Sequence, residues 1–151
     1  MFYIEVTSGE WPWEKHVSGE RGLHAPKMKK YKTLFTPLKK GDIILTHLTQ
    51  SLTRKKEWRG SIIGISTVGR PTYETGTKYF ADLIDPMELI TPIQFKEYKF
   101  NHGLSKKFKS AVSMSLQTYL INISERDFDI LMKIHPENLE LLKNSNYKKI
   151  L

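Results

Sequence analysis

The chain contains no cysteine, which excludes disulfides, cysteine-ligated zinc and thiol catalysis outright. No apolar run approaches the roughly 20 residues of a membrane span. The opening Met-Phe-Tyr-Ile-Glu-Val reads as a strand and not as a signal peptide, so a cytoplasmic setting is the expectation. The histidines at 16, 24, 47, 102 and 135 show no ligand spacing such as HxxxH, and no metal is expected. A glycine-rich phosphate loop and a GxSxG elbow are also missing. Acidic residues are scattered, and sequence alone identifies no pair of them as a catalytic dyad. Nothing in the chain requires an enzyme or a cofactor.

Negative charge is the scarcer sign. Sixteen Asp and Glu stand against 24 Lys and Arg, which leaves a net charge of +8 and a pI near 9.6. Proteins this basic tend to meet polyanions, because Lys and Arg neutralising phosphates supply most non-specific nucleic-acid affinity. The plainer alternative is a surface merely solvated by lysine. With 151 residues, 39% hydrophobic and 26% charged, the chain has the length and composition of one globular domain with a single modest core.

The patterning is that of a β-rich α+β domain. Phe2, Ile4 and Val6 alternate with Tyr3, Glu5 and Thr7, as in a half-buried strand. Trp11-Pro12-Trp13 reads as a loop leading into a short helix that fades near Gly19 or Gly22, since proline cannot sit inside a strand. A basic arm covers residues 23–40. Strands are expected over Asp42 to Thr49, over Ser61 to about Val68 with a bend onward to Glu74, and over Tyr79 to Asp85. Thr91-Pro92-Ile93-Gln94 has the composition of a helix start, with Thr91 as cap and Pro92 in the first turn. A last strand, Thr118 to Ile123, is followed by a helix capped at Ser124 that carries Phe128, Leu131, Met132 and His135 on one face. Pro136 starts a further turn or helix.

Aromatic residues stand beside basic ones in the expected loops: Trp11 and Trp13, Tyr31, Trp58 between Lys56 and Arg59, Tyr79 after Lys78, and Phe108 between Lys107 and Lys109. Bases stacked on aromatics are worth about 1–3 kcal/mol each, and neighbouring cations hold the backbone. Core packing is the competing role for each ring. Trp58 is the strongest candidate for exposure or pocket lining, because burying it in the core would draw the charges of its loop inward.

The order of short motifs over residues 2 to 135 resembles the EVE domain of the PUA-like superfamily, related to YTH and ASCH domains. Phe2 to Ser8 resembles the opening strand that ends in serine before a turn bearing proline and tryptophan, here Trp11-Pro12-Trp13. Leu38-Lys39-Lys40-Gly41-Asp42-Ile43-Ile44-Leu45 resembles the "MKxGDxVL" lead into the second strand, and Ile62-Ile63-Gly64-Ile65-Ser66-Thr67-Val68 the "IVGIxxV" strand. Val112 to Asp127 is similar to the late segment before a helix opening in "xEEDF/W". Arg21-Gly22-Leu23-His24 replaces a segment that often carries tryptophan in the family, and Thr46-His47 replaces a Tyr-His pair.

The resemblance implies one PUA-like domain over residues 1–151, a twisted β-barrel of five to six strands with flanking helices. It implies an aromatic pocket for a single flipped, often modified (methylated) base, in a monomeric module or in part of a larger restriction protein of the McrB type. Any nuclease activity would then reside in another domain or subunit. Ser8, Trp11, Trp13, His24, His47, Trp58, Tyr73 and Tyr79 are the pocket candidates. Lys27, Lys29, Lys30, Lys32, Arg54, Lys55, Lys56, Arg59, Lys106, Lys107 and Lys109 are the candidates for phosphate contacts. DNA is favoured over RNA, and no membrane partner is expected. The alternatives are a YTH-like reader of modified RNA and an ASCH-like hydrolase of a modified nucleoside, for which Lys32, Thr33 and Glu74 are the loosely placed trio.

Overall fold

β1 (Phe2–Thr7) and β3 (Ile43–Leu48) form a parallel pair inside one six-stranded sheet of order β2-β5-β4-β3-β1-β6. β2 is Leu23–Pro26, β4 Ser61–Thr75, β5 Lys78–Gln94 and β6 Leu120–Ile123. The computed structural model describes residues 1–8, 11–20, 22–49, 53–106, 108–109 and 119–151. Lys107, the start of the expected last strand at Thr118 and the side chain of Trp11 lie outside the described residues. Both central strands are buried on both faces, as a parallel pair covered on each side requires.

The long β4–β5 hairpin shifts register four times, between Ile62 and Gly64, Ile65 and Thr67, Val68 and Arg70, and Arg70 and Tyr73. Each bulge bends and further twists its strand. The result is a sheet curled into a half-barrel with helices around it, an α+β architecture consistent with a PUA-like twisted barrel.

The period-2 pattern sorts side chains to two faces. Ile4, Val6, Ile43, Leu45, Ile62, Ile65, Ile121 and Ile123 enter the larger core. It is closed by α3 (Phe95–Tyr98), α4 (Glu125–Ile134) and α5 (Pro136–Lys143), through residues such as Tyr98, Phe128, Leu131 and Leu142. The opposite face holds Tyr3, Ile44, Val68, Tyr79 and Ala81 under Phe35 and Leu38, at the end covered by α2 (Lys29–Phe35). At its other end, Leu48 and Ile63 pack with Trp13 of α1 (Trp11–Ser18) and Trp58.

Several local expectations change. The Trp-Pro-Trp stretch is the first turn of α1 and not a loop before it; proline is tolerated there because first-turn amides have no intrahelical acceptor. The basic arm contains both β2 and α2. Thr91 to Gln94 ends β5 instead of starting a helix: Ile93 is fully buried opposite Ile62, and the capping box forms three residues later between Gln94 and Glu97. Pro86 and Pro92 fit within β5 because β2 pairs only with Lys78 to Ala81, leaving the rest of that edge without a strand partner among the described residues. Ser124 does cap α4, accepting from Asp127 N at 3.0 Å. Among the described residues no helix is long and apolar enough to cross a membrane.

Candidate functional site

α1 stands between two openings. Residues four apart share a helix face, and Pro12 and His16 line a cavity of about 210 Å³ at the end of β1. Trp13 and Val17, one position on, line a wider groove of about 520 Å³.

Polar side chains stand in the cavity wall, and several of them are bonded to one another. Glu5, in mid-β1, points to the same sheet face as Tyr3 and Thr7, and it is 1% exposed. His16 Nε2 lies 2.9 Å from Glu5 Oε2. Thr46, the register partner of Glu5 on β3, donates to the same oxygen at 3.4 Å. The Tyr119 hydroxyl donates to Glu5 Oε1 at 3.2 Å and accepts from His24 N at 3.2 Å. Tyr119 is held there by its backbone, whose carbonyl accepts from Val6 N at 2.8 Å and so extends the β1–β6 pairing. Its ring stacks on Phe35 with centroids 6.1 Å apart. Thr7 also lines the cavity, and its buried Oγ1 has no hydrogen-bond partner among the described residues. Gly22 completes the wall, where a Cβ would stand 2.2 Å from the Ala81 carbonyl oxygen. Only glycine lets the chain pass that close to β5.

The groove has an indole floor. Trp13 is 2% and Trp58 6% exposed. Trp13 lies against β4 at Gly64, where a Cβ would fall 2.2 Å from its Cη2. The glycine of the "IVGI"-like strand is thus needed for the indole to reach the sheet. Lys55 Nζ sits 4.0 Å from the Trp58 ring centroid, a cation–π contact. Arg54 approaches Glu14 at 3.8 Å on the rim. Trp58 is therefore mostly buried, and it meets the expectation as a lining residue of the groove and not as an exposed ring. Its basic neighbours are not drawn inward: Arg54, Lys55 and Lys56 remain exposed around it.

The pocket candidates are divided among several places. Ser8 and His24 line the cavity, while Trp13 and Trp58 line the groove. His47 faces the larger core, where Nε2 meets the Tyr98 hydroxyl at 3.1 Å. Burial lowers its pKa to about 4 and pushes the Tyr98 phenol up. Tyr79 packs beside Phe35 with centroids 6.2 Å apart. Tyr73 lies far along the hairpin, stacked on Phe80, with Arg70 3.6 Å from its ring centroid and its hydroxyl donating to Asp82 at 2.7 Å. That hydrogen bond, followed by burial, raises the Tyr73 phenol pKa.

Among the cations, Lys29, Lys30 and Lys32 are exposed on α2, and Lys106 is exposed as well. Lys27 pairs with Glu74 at 3.2 Å. Arg59 braces its own loop by donating to Thr53 O at 2.8 Å, and Lys109 donates to Asn101 O at 3.2 Å. Lys32, Thr33 and Glu74 line neither opening. No cluster of three or more His, Asp or Glu suited to a metal ion occurs among the described residues.

Glu5, Thr7, His16 and Tyr119 were not among the sequence candidates. An acidic residue in the middle of a strand rich in apolar residues was the available signal for Glu5. The convergence of residues 5, 16, 46 and 119 depends on topology and leaves no local pattern.

No family model matches the chain, and a search of curated proteins finds no match. Solved structures do share the fold. Protein Atu2648 from Agrobacterium tumefaciens is 14% identical, with 88% of this chain and 91% of that one covered and a TM-score of 0.64. Rpa0253 from Rhodopseudomonas palustris is 14% identical, with the same coverage and a TM-score of 0.56. The N-terminal domain of McrB from Staphylothermus marinus is 9% identical over 87% of this chain and 93% of that domain, with a TM-score of 0.59. At these identities the likeness is one of fold.

Proposed function

We propose that this protein is an EVE-like nucleic-acid-binding module that captures one flipped, methylated base in the cavity at the end of β1, acting on DNA in a modification-dependent restriction context. The observation that carries the reading is the cavity itself: a slot of about 210 Å³, smaller than a typical drug-sized site, with hydrogen-bonding groups on its wall in a protein of net charge +8. Its fold is shared with an N-terminal domain of McrB. Flipping a base costs a few kcal/mol of stacking and pairing. Hydrogen bonds from the cavity wall to the base edge offset that cost, and a buried methyl group adds about 0.8 kcal/mol. The exposed lysines of α2 and the Arg54–Lys56 segment hold phosphates, and the tryptophan-floored groove on the other side of α1 receives a neighbouring nucleotide. Any strand cleavage belongs to another domain or subunit.

The test is a binding panel of single- and double-stranded DNA and RNA, each plain or carrying methylated adenine or cytosine. It is run on the wild type and on Ser8→Tyr, which fills the cavity from its rim. Methylated DNA is expected to bind best, and Ser8→Tyr is expected to abolish the preference for methylation while retaining salt-sensitive binding. A preference that survives Ser8→Tyr unchanged would place base capture elsewhere.

A further inference from the structure

A single exposed apolar side chain calls for no explanation. Phe100 differs in how it is held and in what surrounds it. It stands just past α3 and is 77% exposed, more than any other large apolar side chain among the described residues. The loop that follows is braced from several directions. Asn101 N donates to Tyr98 O at 2.9 Å, Gly103 N to Asn101 Oδ1 at 2.8 Å and Lys109 Nζ to Asn101 O at 3.2 Å. The buried Asp127 of α4 accepts from Ser105 N and from Ser105 Oγ, each at 3.0 Å. A fixed backbone therefore presents the ring to solvent. Its surroundings are basic. The segment from Phe95 to Lys109 carries five lysines and one glutamate, and that Glu97 caps α3 by accepting from Gln94 N at 2.7 Å. Lys96, Lys99 and Lys106 are exposed. Arg126 is exposed too, and its Nη2 would lie 3.8 Å from a Cβ built at Gly103, so it borders the same loop. Lys99 Nζ stands 4.9 Å from the Phe100 ring centroid. A ring has two faces, and one ammonium covers only one of them.

We propose that Phe100 and the lysines around it form a second nucleic-acid contact, where an unpaired base of a single-stranded segment stacks on the ring while Lys96, Lys99 and Lys106 hold its phosphates. Every base has a π-face, so such stacking is tolerant of sequence. In a duplex those faces are covered by the neighbouring base pairs, which is why the occupant is single-stranded. Tyr98, two residues before Phe100, bonds His47, the register partner of Val6, and Val6 lines the cavity. The contact thus stands at the same end of β1 as the cavity but shares no lining residue with it. Its partner class is that of the proposed function, yet it needs neither a flipped nor a modified base. A membrane surface is the poorer fit, because the four residues of α3 offer no amphipathic helix to lie in an interface.

The experiment uses the full chain with a short oligothymidylate, its abasic counterpart and a duplex of the same length, read by fluorescence anisotropy. The wild type is expected to bind the oligothymidylate about tenfold more tightly than the abasic strand. Phe100→Ala, at an exposed position, is expected to keep its thermal stability, to bind the oligothymidylate about tenfold more weakly and to lose the preference for bases over abasic sites. Phe100→Trp restores a stacking face and is expected to bind the oligothymidylate at least as tightly as the wild type. Wild-type affinity of Phe100→Ala for the oligothymidylate would overturn the inference, as would equal binding of the oligothymidylate and the abasic strand by the wild type. A duplex that loses as much affinity as the single strand on Phe100→Ala would overturn the single-strand assignment. Phe100-dependent binding to phosphatidylserine vesicles, with oligothymidylate binding unchanged by the substitution, would give the patch to a lipid surface instead. No probe carries a modified base, so failure here leaves the methylation preference of the cavity standing, and loss of that preference does not alter these outcomes.

Discussion

His47 is 2% exposed on the core-facing side of β3, with Nε2 against Tyr98 and Nδ1 without a hydrogen-bond partner among the described residues. Charging it there means burying an ion, and burial lowers its pKa from 6.5 to about 4. An imidazole whose folded pKa is depressed binds its proton more readily in the unfolded chain. The stability it contributes is therefore full above about pH 6.5 and is lost as the pH falls towards 4. Linkage predicts that between pH 7 and pH 5 the wild type loses about 2 kcal/mol more stability than His47→Gln, in urea unfolding at the two pH values. Parallel losses in the two proteins would show that His47 does not titrate in this way. Trp58 teaches a complementary lesson at the same scale. Burying the Trp58 ring does not carry its charged neighbours inward, because Lys55 lies over the ring face and stays wet, as long basic side chains can.

At the scale of elements, the edge of β5 beyond Ala81, which has no strand partner among the described residues, is satisfied in part by side chains. Asn138 of α5 is fully buried, donates to Thr91 O at 2.8 Å and accepts from Thr91 N at 3.0 Å. The Tyr147 hydroxyl similarly donates to Asp85 O, and burial pushes that phenol up to about 12. One carboxamide thus stands in for a neighbouring strand at Thr91 and ties α5 to the sheet edge. Asn138→Ala is expected to cost about 1–3 kcal/mol, because both Thr91 backbone groups lose their partner. Chemical denaturation with an unchanged midpoint would show that water replaces the amide without loss. This contact also explains why the Thr91 segment misled: its residues suit a helix start, while the edge bond to Asn138 and the burial of Ile93 hold it extended.

Over the whole molecule, the excess of eight positive charges is unevenly engaged. Lys27, Arg59 and Lys109 have protein partners, whereas Lys29, Lys30 and Lys32 stand exposed along the short α2. If these three neutralise phosphates of a DNA duplex, the plot of log affinity against log salt loses about 0.9 unit of slope for each. Replacing all three by Gln is then expected to flatten the slope by about 3 while the preference for a modified base persists. An unaltered slope would take α2 out of the contact surface.

The sequence by itself determined the class of the fold, its first and central strands, the helix capped at Ser124 and the basic character of the surface. These follow from period-2 and period-3.6 patterning, from cap chemistry and from charge, all of which are local and additive. It also brought Ser8, His24, Trp13 and Trp58 into view, though not their division between two openings on either side of α1. Only the tertiary structure decided that His47 and Tyr79 belong to cores on opposite faces of the sheet. It alone brought Glu5, Thr7, His16 and Tyr119 to one cavity. The parallel pairing of β1 with β3, the curl imposed by four register shifts and the placement of Tyr119 beside Val6 are contacts between distant parts of the chain, and no local pattern encodes which distant residue will close on a buried carboxylate.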